Sequence, residues 1–207
     1  TDSHSCTSGA FGCFGTGIGS TEMLGVLVSG QLWLRVPETI RLVWNGTLSA
    51  GVYAKDLVLK TIGRLGQAGA TYKVMEFSGE CIRNLSIEGR MTLCNMAVEA
   101  GAKTGLVAPD AQAFAYLDAI GAGRGIPVIG DDDAIYCETL TFDANRLEPQ
   151  IALPDEVDKV VSVTEAAGEA IDQAYLGSCT NGRFEDLQEA ARILKGRQVA
   201  AGVRMLV

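Results

Sequence analysis

The sequence predicts an α/β fold with mainly parallel strand pairing. Short apolar runs alternate with stretches of helical spacing along most of the 207 residues. Gly, Pro and Asn-Gly signals mark most of the junctions between them. The chain is 47% apolar, which allows one or two compact units with a real core.

Taken in order, Asp2-Ser3-His4 forms a turn, and residues 8–29 are rich in Gly, Ala and Ser. They predict a close-packed helix whose small residues let another backbone or a ligand approach. Val36-Pro37 ends that unit. Residues 39–44 read as a strand closed by an Asn45-Gly46 turn. In 54–66, Leu57, Val58, Ile62 and Leu65 fall on one helical face. A short strand follows at 73–77. The spacing over 85–100 predicts one long helix with Ile87, Met91, Cys94 and Val98 as its apolar stripe, and Gly101 suits the position just past its end. Residues 104–107 are a strand stopped by Pro109, 111–120 a helix, and 121–125 a loop. A strand at 138–142 leads to an extended two-proline connector at 147–154, where a boundary is expected. Residues 159–163 and 174–177 read as strands, the second buried; 184–194 reads as a helix and 203–207 as a final strand. No internal repeat or low-complexity tract is present.

The formal net charge is −8, which argues against a nucleic-acid partner or an anionic membrane, since both favour a basic face. It leaves a small anionic substrate open. No apolar run approaches the roughly 18–20 residues that span a bilayer, and no signal peptide is visible. Six cysteines lack paired spacing and no Cys-x-x-Cys occurs, which reads as free thiols in a reducing cytoplasm. The chain starts inside a motif-like segment without an initiator Met and stops within a strand-like one. A piece of a longer protein, incomplete at both ends, is therefore expected.

Three groups of residues could carry chemistry. Cys179 stands in Gly177-Ser178-Cys179-Thr180-Asn181-Gly182, between a strand and a helix. Free N–H groups at a helix start favour a thiolate, and Thr180 or Asn181 could cap the helix or donate to sulfur. That suits a metal or iron–sulfur ligand, or a nucleophile; a buried thiol packing as a small hydrophobe is the plainer alternative. Asp2-Ser3-His4 holds the single histidine. If extended, it points Asp2 and His4 to one side and Ser3 to the other; a helix cap is the plainer alternative. Asn95 and Glu99 lie four apart beside the apolar stripe of 85–100, so both should be at least partly buried. A buried carboxylate needs a partner. His4 is one candidate, and Lys103, four residues on, is the other. Gly15-x-Gly17-x-Gly19 and Gly121-x-Gly123-x-Gly125 lack the spacing and strand–helix context of a phosphate loop. Asp131-Asp132-Asp133 could meet a hard cation but suits a solvated loop better.

Together these segments resemble the aconitase superfamily. Asp2-Ser3-His4 is similar to its Asp-Ser-His active-site turn, residues 91–100 to its Cys-Asn-Met-x-x-Glu helix, and residues 175–187 to its Gly-Ser-Cys-Thr-Asn signature. Residues 45–60 and Leu147-Glu148-Pro149 follow in the same order. The resemblance runs along nearly the whole chain, and within the superfamily it is to the branch of isopropylmalate dehydratase and homoaconitase large subunits. It implies aconitase-like α/β/α layers: the end of a first domain (1–36), a second domain (37–154) and the start of a third (155–207). It also implies a hydro-lyase in which Cys179 is one of three cysteine ligands of a [4Fe–4S] cluster. His4 and Glu99 would be a catalytic pair, and Asp2 would be catalytic by pairing with another histidine upstream of this sequence. Ser3 and Asn95 would bind substrate. The implied partners are a small subunit carrying a swivelling domain and a small hydroxy di- or tricarboxylate. The other cluster cysteines are not in this sequence, so this stretch alone is expected to hold no cluster and to be inactive.

Isopropylmalate in leucine biosynthesis is the favoured substrate, with homoaconitate-type and dimethylmalate-type acids as alternatives. Two further classes stay open. One is a cluster-free RNA-binding regulator, against which the acidity counts. The other is a Cys or Ser hydrolase, which requires His4 within hydrogen-bond reach of Cys179 or Ser3 and a pair of oxyanion donors.

Overall fold

A computed structural model describes residues 2–123 and 125–207. Thr1 of the opening segment and Arg124 of the expected 121–125 loop lie outside the described residues. The chain opens with a 3-10 helical segment, Ser3–Phe11, and then helix α1, Ser20–Ser29. The single close-packed helix expected over 8–29 is thus two pieces with irregular backbone between them. Asp2 caps the first piece, and the left-handed Gly12 ends it. No residue of α1 is buried.

Four strands form the central sheet: β1 (Thr39–Asn45), β2 (Val74–Ser78), β3 (Thr104–Val107) and β4 (Glu138–Asp143), in the order β3-β2-β1-β4, all parallel. Ile40 pairs with Met75 on one side and Glu138 on the other; Leu42 pairs with Phe77 and Leu140. The period-2 pattern of β1 turns one of its faces into the core. Ile40, Leu42 and Trp44 are buried and Arg41 is exposed. Trp44 also stacks on Phe142 of β4, with ring centroids 4.4 Å apart. Helix α2 (Ala54–Leu65) connects β1 to β2 and presses Leu57, Val58 and Ile62 into the core.

The long helix expected over 85–100 is interrupted. Helix α3 (Glu80–Asn84) stops at Leu85, and Ser86 starts α4 (Ile87–Asn95) by accepting from the Gly89 N–H at 3.0 Å. The run then tightens into a 3-10 turn, Met96–Ala100, before a left-handed Gly101. A capping serine inside an apolar pattern outweighs the pattern's continuity. Helix α4 is also buried nearly all round instead of along one stripe, including the polar Arg90, Thr92 and Asn95. Helix α5 (Ala111–Ala119) leads back to β4.

The connector after β4 contains strand β5 (Gln150–Ala152), which pairs antiparallel with β6 (Val160–Ser162). This hairpin turns through Pro154. Strands β7 (Gln173–Tyr175) and β8 (Arg204–Leu206) pair in parallel around helix α6 (Phe184–Leu194). The strand expected to be buried at 174–177 is shorter, and Tyr175 is exposed. No described helix is long and apolar enough to cross a membrane.

Candidate active site

The opening segment is placed by small residues. On Gly9 a Cβ would collide with the Gly105 carbonyl oxygen, and on Gly105 a Cβ would come within 2.7 Å of the Cys94 Cα. Two facing glycines therefore let the 3-10 segment lie directly on β3 and α4. Gly17 serves the same end from the other side, where an added Cβ would come within 2.8 Å of the Asp2 carbonyl oxygen and the Ser3 Cα. These glycines pack main chain on main chain. Within this contact Cys6 is buried, and its Sγ donates to the carbonyls of Ser3 (3.5 Å) and Asn95 (3.4 Å). Burial pushes this thiol up to about 11, so it stays protonated at neutral pH.

The result is a defined pose for His4. Its N–H donates to Asp2 Oδ1 at 2.8 Å, its Nδ1 lies 3.1 Å from Ser3 Oγ, and its Nε2 lies 3.4 Å from Glu99 Oε1. The segment is helical from Ser3, so Ser3 turns to the same side as the ring and not away from it, contrary to the extended geometry expected. Ser3 and His4 thus meet one requirement of the hydrolase alternative. Glu99 takes His4 as its partner. Lys103, the competing candidate, instead places its Nζ 4.8 Å from the centroid of the Tyr72 ring.

Asn95 joins the two ends of the chain. It is fully buried; its Nδ2 donates to Thr7 Oγ1 at 2.8 Å, and its Oδ1 accepts from Thr180 Oγ1 at 2.8 Å. The same Oδ1 lies 4.0 Å from Cys179 Sγ. Thr7 and Thr180 are neighbours that spacing alone does not reveal. Cys179 is exposed, so the packing alternative for it is not what the fold contains. The preceding Ser178 has a φ of 74°, a left-handed conformation uncommon outside glycine, which turns the chain sharply. The helix-capping roles expected of Thr180 and Asn181 are not seen. Thr180 is committed to Asn95, and Asn181 Nδ2 donates to Asp186 Oδ1 at 2.8 Å. Asp186 itself caps α6, accepting from the Arg183 N–H at 3.0 Å.

Among the described residues, no group of three or more His, Cys, Asp or Glu converges as a metal site. The donor set does fit one corner of an iron–sulfur cluster: a single exposed sulfur beside the neutral Asn95 amide and Thr180 hydroxyl. Cys6 and Cys94 are not available as further corners, since both are buried and burial raises both thiols. The Asp131-Asp132-Asp133 loop is exposed. A separate groove of about 980 Å3 runs between α2, α4 and α6, lined by apolar residues such as Val52, Leu59, Met96 and Ile193. Neither His4 nor Glu99 lines it.

The model of the aconitase family (aconitate hydratase) matches residues 1–169 and 164–207. A 3-isopropylmalate dehydratase large subunit 1 from Methanopyrus kandleri is 53% identical over 206 residues, covering 100% of this chain and 49% of its own length. A probable methanogen homoaconitase large subunit from Methanosarcina mazei is 52% identical over 198 residues, with 96% and 51% covered. A 3-isopropylmalate dehydratase large subunit from Nitratidesulfovibrio vulgaris is 50% identical over 206 residues, with 100% and 49% covered. The chain spans about half the length of the curated relatives it matches.

Proposed function

The chain belongs to the aconitase family, and on that premise we propose that the intact protein is the cluster-bearing large subunit of a hydro-lyase. It dehydrates and rehydrates a hydroxy acid so that a hydroxyl moves to the adjacent carbon. The substrate favoured is 2-isopropylmalate, converted to 3-isopropylmalate in leucine biosynthesis, in keeping with the names of several relatives. A homoaconitate-type acid is the second reading, because a relative so named is nearly as similar.

The observation that carries the proposal is the 3.4 Å approach of His4 to Glu99, tied through Asn95 to the Cys179 turn. Hydroxide is a poor leaving group and needs both a proton and an electrophile. Glu99 orients the imidazole through its Nε2, and His4 is the group that would carry the acidic proton to the departing hydroxyl. Asp2 and Ser3 hold the ring from its Nδ1 side. Asn95, buried with its amide spent on Thr7 and Thr180, would act on the substrate site through those two hydroxyls, and Cys179 would supply one thiolate to a [4Fe–4S] cluster. When bound, that cluster supplies a Lewis-acidic iron. The remaining cluster thiolates, and a small subunit with a swivelling domain, lie outside this sequence. Residues 1–36, 37–154 and 155–207 are read as parts of three domains, with the β5–β6 hairpin straddling the second boundary.

The test is anaerobic reconstitution of the full-length protein and its small subunit with iron and sulfide. Dehydration of isopropylmalate is followed through the ultraviolet absorbance of the unsaturated acid. Brown, active wild type and colourless, inactive Cys179→Ser are expected. A fully loaded enzyme that dehydrates neither isopropylmalate nor a homoaconitate-type acid would sink the proposal.

A further inference from the structure

Sequence reading passes over Arg183, yet its guanidinium lies at the heart of the Cys179 turn. Its Nη2 donates to the Cys179 carbonyl at 2.9 Å, and its Nη1 donates to the Thr180 carbonyl at 2.7 Å. Nη1 also reaches Thr92 Oγ1 at 3.1 Å and the Glu88 carbonyl at 3.5 Å, both on α4. The Thr92 hydroxyl in turn lies 3.1 Å from the Thr180 carbonyl. One flat cation thus ties two successive carbonyls of the turn to one face of a buried helix.

This matters because the turn is strained and outward-facing. Ser178 sits in the left-handed region, and Cys179 is exposed, so little packing holds the sulfur in place. Strained backbone persists where its surroundings over-determine it. Here the fixed elements are the two carbonyls under Arg183 and the Thr180 side chain on Asn95. Between them they determine where the Cys179 Cα–Cβ bond points.

Resting on the cluster-bearing reading above, we propose that Arg183 is a positioning residue for Cys179, holding its sulfur in ligand pose before any metal binds. The guanidinium does this by shape as well as charge. Two of its nitrogens reach adjacent carbonyls at once, which a lysine ammonium, a single point donor, does not reproduce. Groups that orient a metal ligand are worth roughly 10- to 100-fold in metal retention.

The experiment uses the full-length protein, reconstituted anaerobically with iron and sulfide. Loss of iron to a chelator is read from the visible absorbance and from iron per chain. Arg183→Lys and Arg183→Met are expected to lose iron roughly ten-fold faster than wild type. Arg192→Met, an exposed change on the same helix, should match wild type. Thermal unfolding of the metal-free forms should stay together. Thr92→Val removes the α4 hydroxyl under the same guanidinium and should show a smaller acceleration; it decides the matter if the Arg183 variants fail to fold. Wild-type iron retention in Arg183→Lys, or in Thr92→Val where that variant must decide, overturns the proposal. Full iron in Cys179→Ser overturns the reading beneath it, a result the Arg183 variants cannot mimic.

Discussion

The Nε2 of His4 lies 3.4 Å from the Oε1 of Glu99, joining the first turn of the chain to the 3-10 turn that follows α4. Both side chains are part-exposed, at 27% and 38%. A pair in that setting adds at most about 1 kcal/mol to stability. Its worth is therefore expected in chemistry. In the full-length enzyme, Glu99→Gln should lower kcat by roughly 100-fold or more with little change in unfolding midpoint. Steady-state kinetics beside thermal unfolding check this. A variant with normal kcat would remove Glu99 from the proton path.

Asn95 should show the opposite balance. It is fully buried with both ends of its amide engaged. Asn95→Ala would take the acceptor from the Thr180 hydroxyl and a donor from Thr7, whose own proton stays on the His4 carbonyl, and cost about 1–3 kcal/mol. Asn95→Asp should cost more, because it brings a charge into a fully buried site whose described partners include the hydroxyls of Thr7 and Thr180, which do not neutralise it. Urea unfolding of the two variants and wild type gives the order directly. Equal midpoints for all three would mean that Asn95 does not bridge the chain ends.

Gly9→Ala should uncouple the opening segment. The added Cβ would meet the Gly105 carbonyl, which is backbone and cannot swing aside. Overpacking of this kind costs about 1–3 kcal/mol. The segment should lift and carry His4 away from Glu99, so kcat falls together with stability. Limited proteolysis of the stretch before α1 should quicken as the segment opens locally. Unchanged cleavage and kcat would show that the glycine contact does not place His4.

These sites differ in how far the sequence reveals them. The sheet was legible because β1 alternates: Ile40, Leu42 and Trp44 enter the core while Arg41 faces out. Helix α2 was legible because Leu57, Val58 and Ile62 share a face. Helix α4 was not, because Ser86 cuts an apolar pattern that otherwise runs on, and because a helix buried all round leaves no polar face to read. The exposed α1 defeats the opposite assumption, that apolar, small-residue segments are packed. Of the site, Cys179, His4 and Glu99 carry chemical side chains in telling contexts and can be singled out. Arg183, Thr7 and Thr180 act through backbone carbonyls and one amide. Those partners lie far off in sequence, and no spacing rule points to them.

The last prediction concerns acid. Arg90 is fully buried, and its Nη2 lies 2.7 Å from Asp110 Oδ2. Its Nε and Nη1 are buried without a hydrogen-bond partner among the described residues. Its charge therefore leans heavily on Asp110, whose carboxyl also caps α5. The hydrogen bond from Arg90 holds the Asp110 carboxyl below its ordinary value. The sign follows from that depression. The contribution to stability is fully present above about pH 4, the ordinary range of an aspartate, and is lost as pH falls through the lower folded value. Asp110→Asn keeps the cap but removes the charge. Losing one partner of a fully buried pair costs about 3–5 kcal/mol. Because the Asp110 side chain is 39% exposed, solvent screening places the expected loss at or below the bottom of that range. The gap between wild type and variant should be largest near neutral pH. It should close in strong acid, where a protonated Asp110 is as neutral as the asparagine. Urea midpoints measured from about pH 7 down to about pH 3 span the ordinary aspartate value and trace this convergence. A gap that stayed constant with pH would mean that Arg90 does not depend on the Asp110 charge.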